Sequence, residues 1–101
     1  MQKIDFIKMH GLGNDFVIID KRSNNILITD DIIKRLSDRR TGAGCDQLIT
    51  INTSKHKDVD AEIEIFNPGG DRAEACGNGT RCVAKILFEE NRNKEVLKIY
   101  S

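Results

Sequence analysis

The run Glu74-Ala75-Cys76-Gly77-Asn78-Gly79-Thr80-Arg81-Cys82 constrains this chain more than any other stretch. A loop, Asn67-Pro68-Gly69-Gly70-Asp71, precedes it, and an apolar-periodic segment runs on from Thr80 to Glu90. There Val83, Ala84, Ile86, Leu87 and Phe88 recur at helical spacing, with Arg81, Lys85, Glu89 and Glu90 mostly opposite them. Cys76 therefore falls at or just before a helix start. Two glycines flanking an asparagine leave the first backbone N–H groups of that helix uncovered. Those groups have no partner within the helix and carry the positive end of its dipole, so they suit a carboxylate or a thiolate. The same field draws the Cys76 thiol below its ordinary pKa of about 8.5, toward the range where one group both takes and gives a proton. A plainer reading stays open at this level: Gly77 and Gly79 only make a turn, and Cys76 is a small buried filler.

A chain of 101 residues holds one modest core. Lysine plus arginine and aspartate plus glutamate number 16 each, so nothing in the charge balance points to nucleic acid or an anionic membrane. The local pairs Arg39-Arg40 and Arg92-Asn93-Lys94 read as solvated faces. No apolar run approaches a membrane span, and Lys3, Asp5 and Lys8 interrupt any signal-peptide core. Three cysteines without a CxxC give neither a disulfide framework nor a zinc ribbon, and a reducing cytoplasm is expected. A zinc site built on Cys45, Cys76 and Cys82 has the wrong spacing, so no metal is expected.

From the amino terminus, residues 3–9 read as a strand with Ile4 and Phe6 on one face. His10-Gly11-Leu12-Gly13-Asn14-Asp15 reads as a tight hairpin, and Phe16-Val17-Ile18-Ile19 as a buried strand. The turn lacks the third glycine of a dinucleotide fingerprint and the Gly-Lys-Ser/Thr of a P-loop. His10 reads as a hydrogen-bonded structural residue. Asp30-Asp31 cap a helix over 32–40 whose Ile32, Ile33 and Leu36 face the core, and Gly42 and Gly44 stop it. Cys45 reads as packing, Gln47 as a polar group at a strand mouth, and Leu48-Ile49-Thr50-Ile51 as a second buried strand. Residues 52–58 form a charged loop with His56 on the surface. Residues 60–66 alternate, with Ala61, Ile63 and Ile65 inward, and another strand begins in 94–100. The expected fold class is α+β, a mainly antiparallel sheet wrapped around one central helix.

Three motifs, Lys8-Met9-His10-Gly11-Leu12-Gly13-Asn14-Asp15-Phe16-Val17, Gly42-Ala43-Gly44-Cys45-Asp46-Gln47, and Phe66-Asn67 followed by Ala75 to Cys82, together resemble the diaminopimelate epimerase family. They cover nearly the whole chain in the family's order and spacing. The resemblance implies one of two similar domains, each a sheet around a central helix, with substrate between them. Residues 1–101 would be the amino-terminal domain, incomplete at its carboxy-terminal end, with the second domain absent. It implies an isomerase without cofactor, interconverting L,L- and meso-diaminopimelate in lysine and peptidoglycan precursor biosynthesis. One cysteine acts as thiolate base and a facing one as thiol acid; Cys76 matches the first, and neither Cys45 nor Cys82 fits the second. Asn14, Gln47 and Asn67 match substrate-binding side chains, and Gly77 and Asn78 match backbone donors to the α-carboxylate. The implied partner is diaminopimelate, with no nucleic acid or membrane partner and a homodimer for the full-length enzyme. Gly69-Gly70-Asp71 departs from the family's Asp-Gly-Ser, which predicts a more flexible loop and leaves the aspartate's hydrogen bond unassigned.

The chemistry accounts for such an arrangement. An amino-acid α-proton is very weakly acidic, and the negative charge left by its removal must be met at the carboxylate by preorganised N–H donors. Inversion needs two bases because the proton leaves one face and arrives on the other. Two alternatives remain at this level: a non-catalytic module that binds small carboxylates, and a proline racemase-like isomerase of the same fold.

Overall fold

The computed structural model describes residues 3–23, 25–74, 77–93 and 95–100. Five strands and two helices follow in the order β1 (Ile7–Gly11), β2 (Asn14–Asp20), α1 (Asp30–Ser37), β3 (Gln47–Asn52), β4 (Ala61–Phe66), α2 (Gly77–Glu90) and β5 (Ile99–Tyr100). The strands make one sheet in chain order. β1 and β2 meet through the two-residue turn Leu12-Gly13, with φ of 49° and 88°. A hairpin of this length needs such positive φ values to match the strand twist.

The sheet is mixed, which corrects the expectation of a mainly antiparallel one. β1/β2 and β3/β4 are antiparallel, but β2/β3 and β4/β5 are parallel. The reason lies in the connections. One helix between two strands returns the chain to the end it left, so the next strand runs parallel to the last. α1 does this between β2 and β3, and α2 between β4 and β5.

Handedness then places the helices. Both crossovers step sideways in the same direction, yet strand direction reverses between β3 and β4. Two right-handed crossovers of that kind must lie on opposite faces. They do. Phe16, Ile18, Ile49, Ile51, Ala61, Ile63 and Ile65 pack with Cys82, Val83 and Leu87 of α2. Val17, Ile19, Leu48 and Cys45 pack with Ile33 of α1. So α2 is not the sheet's only helical partner, and β2 and β3 are apolar on both faces because both are covered. The inward positions Ala61, Ile63 and Ile65 of β4 are as expected.

Several boundaries differ from the sequence reading. β1 begins at Ile7, and β5 holds only two residues. α1 is capped by Thr29, whose hydroxyl accepts from the Ile32 N–H at 3.3 Å, while Asp30 and Asp31 occupy its first turn. It ends at Ser37, where Asp38 turns to extended backbone. α2 lies close on the sheet because Gly79 has no side chain: a Cβ there would meet Ile49 Cδ1 at 2.7 Å.

β2 holds both ends of α2. The Asn78 amide bonds Asn14 at one end of β2. At the other, Arg22 forks onto Asp20 and onto Glu90 in the last turn of α2. A cation there complements the negative end of the helix. Strand and helix are matched in length, at roughly 20 Å each.

Candidate active site

Four strand ends meet at one edge of the sheet. They are the finish of β1 at Gly11, the starts of β2 at Asn14 and of β3 at Gln47, and the finish of β4 beside Asn67. Side chains alternate along a strand. Phe16, Ile49 and Ile65 face α2, so Asn14, Gln47 and Asn67, each two residues away, come to the same face. The start of α2 lies over them: a Cβ on Gly11 would sit 3.7 Å from the Asn78 carbonyl and 3.4 Å from Cys82 Sγ. Asn14, Gln47, Asn67, Gly77 and Asn78 are thus gathered at one mouth. Cys76, the expected catalytic residue, lies outside the described residues.

Each polar side chain at the mouth has a distinct state. Asn14 accepts from Asn78 Nδ2 at 3.3 Å and donates to Asp46 Oδ2 at 3.4 Å. Gln47 is half-buried, and its amide makes no hydrogen bond to a described residue. Asn67 donates to Asp71 Oδ2 at 2.9 Å, which draws the Asp71 carboxyl below its ordinary value. Backbone bonds from Asn67 N to Asp71 O and from Gly70 N to Asn67 O close the same turn, each at 2.9 Å. In the Gly69-Gly70-Asp71 variant the aspartate is thus bonded to Asn67.

Behind the mouth lies a charged clamp that the sequence reading missed. The Asp15 N–H donates to Asp46 Oδ2 at 3.0 Å, and the Asp46 N–H donates to Asp15 Oδ1 at 2.8 Å. Arg39 reaches both carboxylates: Nη1 to Asp15 Oδ2 and Nη2 to Asp15 Oδ1, each at 2.9 Å, and Nη2 to Asp46 Oδ1 at 3.0 Å. Lys8 lies 3.4 Å from Asp15 Oδ2. These contacts, those from Arg39 foremost, hold the Asp15 carboxyl far below the usual carboxylate range. Arg39 is exposed, as a solvated pair with Arg40 predicts, but unlike a merely solvated residue it holds two carboxylates. The signal available was an aspartate in each of two glycine-rich mouths, a pairing that requires a cation between them.

Arg39 is aimed by the backbone that follows it. Asp38 Oδ1 accepts from the N–H groups of Arg40 and Thr41, at 2.7 and 3.1 Å. Gly42 turns so tightly that a Cβ would fall 2.0 Å from the Arg35 carbonyl oxygen. The chain then folds back until Gly44, at φ +74°, lies against Arg39. An open cavity of about 380 Å³ is lined by His10, Gly13, Asn14, Asp15, Arg39 and Asp46. His10 is exposed on its wall, and its imidazole has no hydrogen bond to a described residue, contrary to expectation.

The two described cysteines lie on opposite faces of the sheet. Cys45 is 2% exposed and contacts Ser37 Oγ at 3.4 Å, on the α1 face. Cys82 is 6% exposed on the α2 face. The sheet separates them, so they cannot share a metal ion. His56 is exposed, as the sequence predicts, with its ring tilted at 44° to Tyr100 and the centroids 5.5 Å apart. No described helix is long and apolar enough to cross a membrane.

The family model for diaminopimelate epimerase matches residues 6–99. A diaminopimelate epimerase of Pelagibacter ubique is 52% identical over 93 residues, covering 92% of this chain and 33% of that protein. One of Rhodospirillum centenum is 43% identical over 91 residues, covering 90% and 31%. The chain thus spans about a third of the length of the curated relatives it matches. Among solved structures, a PhzF-family phenazine biosynthesis protein of Bacillus anthracis superposes with a TM-score of 0.68 at 21% identity, covering 99% of this chain and 33% of that one. A methylitaconate-delta-isomerase gives 0.67 at 20% identity, covering 92% and 28%. At such identity these two likenesses speak for the fold alone.

Proposed function

The chain belongs to the diaminopimelate epimerase family, and from that premise we propose that it supplies one wall of a cofactor-independent epimerase site for L,L- and meso-diaminopimelate. One observation carries the reading. Asn14, Gln47 and Asn67 come from three strand ends to one face of one mouth, under the start of α2. The first N–H groups of that helix, those of Gly77 and Asn78, receive the substrate's α-carboxylate and meet the charge that develops beside it. Asn14, Gln47 and Asn67 orient the rest of the amino acid, and the Gln47 amide, which bonds no described residue, is available for that purpose.

Cys76, next to Gly77, is the proton-transfer group on this wall. When its thiolate takes the α-proton, the C–H electron pair stays on the α-carbon. A thiol on the opposite face then delivers a proton there, and the two sulfurs exchange protonation states. That second thiol belongs to a facing domain of similar build. In this reading residues 1–101 form most of the amino-terminal domain, and the rest of the relatives' length completes it and supplies the facing wall.

The test joins this chain to the corresponding remainder of the Pelagibacter ubique relative and supplies L,L-diaminopimelate. Chiral chromatography should show conversion to the meso form, abolished by Cys76→Ser, and none with the 101-residue chain alone. Steady conversion by the chain alone contradicts the two-wall mechanism. No conversion by the fusion, with carboxylate binding retained in Cys76→Ser, replaces it with a non-catalytic binding module.

A further inference from the structure

We propose that Arg39 is the positioning residue of the mouth: its guanidinium closes the Asp15–Asp46 clamp, and through Asp46 it sets the Asn14 amide against Asn78 at the start of α2. The inference rests on the epimerase reading for what Asn14 and Asn78 touch, but not for the geometry that joins them.

Two carboxylates locked in a reciprocal clamp repel one another, and the arrangement needs a cation that reaches both. Among the described residues Arg39 alone makes ion pairs with both Asp15 and Asp46; Lys8 reaches only Asp15. The fork is the relevant property. Its two terminal nitrogens address two oxygens of Asp15 while one of them also reaches Asp46. A lysine is a point charge and cannot do this. With Oδ1 of Asp46 taken by Arg39, Oδ2 is left to accept from the Asp15 N–H and from Asn14 Nδ2. That contact points the Asn14 carbonyl toward Asn78. The chain of contacts runs Arg39, Asp46, Asn14, Asn78, and it links the turn after α1 to the start of α2.

Stability alone does not explain Arg39. Its side chain is 55% exposed, and exposed ion pairs contribute little to folding. Yet the backbone around it is specialised at Asp38, Gly42 and Gly44 to deliver it. Asp15, by contrast, keeps only 12% of its side chain exposed. It is faced by Arg39 from the turn after α1, by Lys8 from β1 and by Asp46 from the approach to β3, with His10 on the wall of the same cavity.

The experiment compares Arg39→Gln and Arg39→Lys with the wild-type chain by heteronuclear NMR. The side-chain NH2 signals of Asn14 and Asn78 should shift in both variants, with loss of the cross-relaxation between them. Backbone signals of Ile49 and Val83 should stay in place. The Asp15 carboxyl should titrate higher in Arg39→Gln, with Arg39→Lys in between. Asn14 and Asn78 signals coincident with wild type in both variants overturn the proposal, as does unfolding of both, which makes Arg39 a structural residue. In the fusion with the Pelagibacter ubique remainder, Arg39→Gln should lower kcat/KM about tenfold or more, the scale of a misplaced group. An inactive wild-type fusion defeats the epimerase reading, while the NMR comparison still decides the role of Arg39.

Discussion

The side-chain amide of Asn78 donates to the side-chain carbonyl of Asn14 across 3.3 Å, joining residues 64 apart in the chain. Both side chains are half-buried, and a hydrogen bond in such a place contributes about 0.5–1.5 kcal/mol. A double-mutant cycle with Asn14→Ala, Asn78→Ala and the pair should therefore give a coupling energy of that size in denaturant unfolding. Strict additivity means the contact is not made in solution.

Acid should destabilise the fold in a defined window. Asp15, held by Arg39, and Asp20, held by Arg22, both have carboxyls below their ordinary values. A depressed folded value means the unfolded chain binds more protons. The stabilisation is then complete above the unfolded value of about 3.9 and is lost as pH falls toward the lower folded value. The melting temperature should hold from pH 7 to about 5 and drop below about 4. Arg39→Gln or Arg22→Gln should each make that drop shallower, as read by thermal denaturation across pH.

Gly42→Ala should be among the most costly single-methyl changes in this chain. The added Cβ meets the backbone oxygen of Arg35, and a backbone cannot yield as a side-chain tip does. A destabilisation of roughly 1–3 kcal/mol is expected, or roughly 4–8 °C in melting temperature per kcal/mol at this size. An unchanged melting temperature means the turn has another conformation.

Thiol chemistry should sort the cysteines. Cys45 and Cys82 are buried on opposite faces and should resist iodoacetamide until the chain unfolds. Cys76 should be labelled first, with a midpoint below the ordinary thiol value. Peptide mass analysis across pH checks the order, and faster labelling of Cys82 contradicts the proposed role of Cys76.

The placement of several mouth residues at element ends is legible from local signals, while their substrate roles come from the family resemblance. Asn14 follows a turn, Gln47 opens a β-branched run, and Gly77 and Asn78 start an apolar helical period. The inward set Ala61, Ile63 and Ile65 followed from alternation alone. Parallel pairing was not legible, because alternation reports which face a residue takes and says nothing of strand direction. The role of Arg39 is not legible for a similar reason: its partners are Asp15, 24 residues back, and Asp46 across the Gly42–Gly44 fold. No periodicity encodes a pairing created by a turn. Thr29 as the cap is not legible because the two aspartates after it carry the same capping signal.

The connection between β3 and β4 leaves the sheet at the edge opposite Asn14, Gln47 and Asn67, together with Arg22 and Glu90. Six residues of β3 separate the two edges, about 20 Å. Residues 53–59 are therefore a place where the protein can be handled. A dye, a surface tether or a pair of new termini introduced there by circular permutation has the length of the sheet between it and the mouth at Asn14, Gln47 and Asn67, at a loop of the kind that accepts such cuts. The fold can be immobilised by one edge while the other is left open to small molecules.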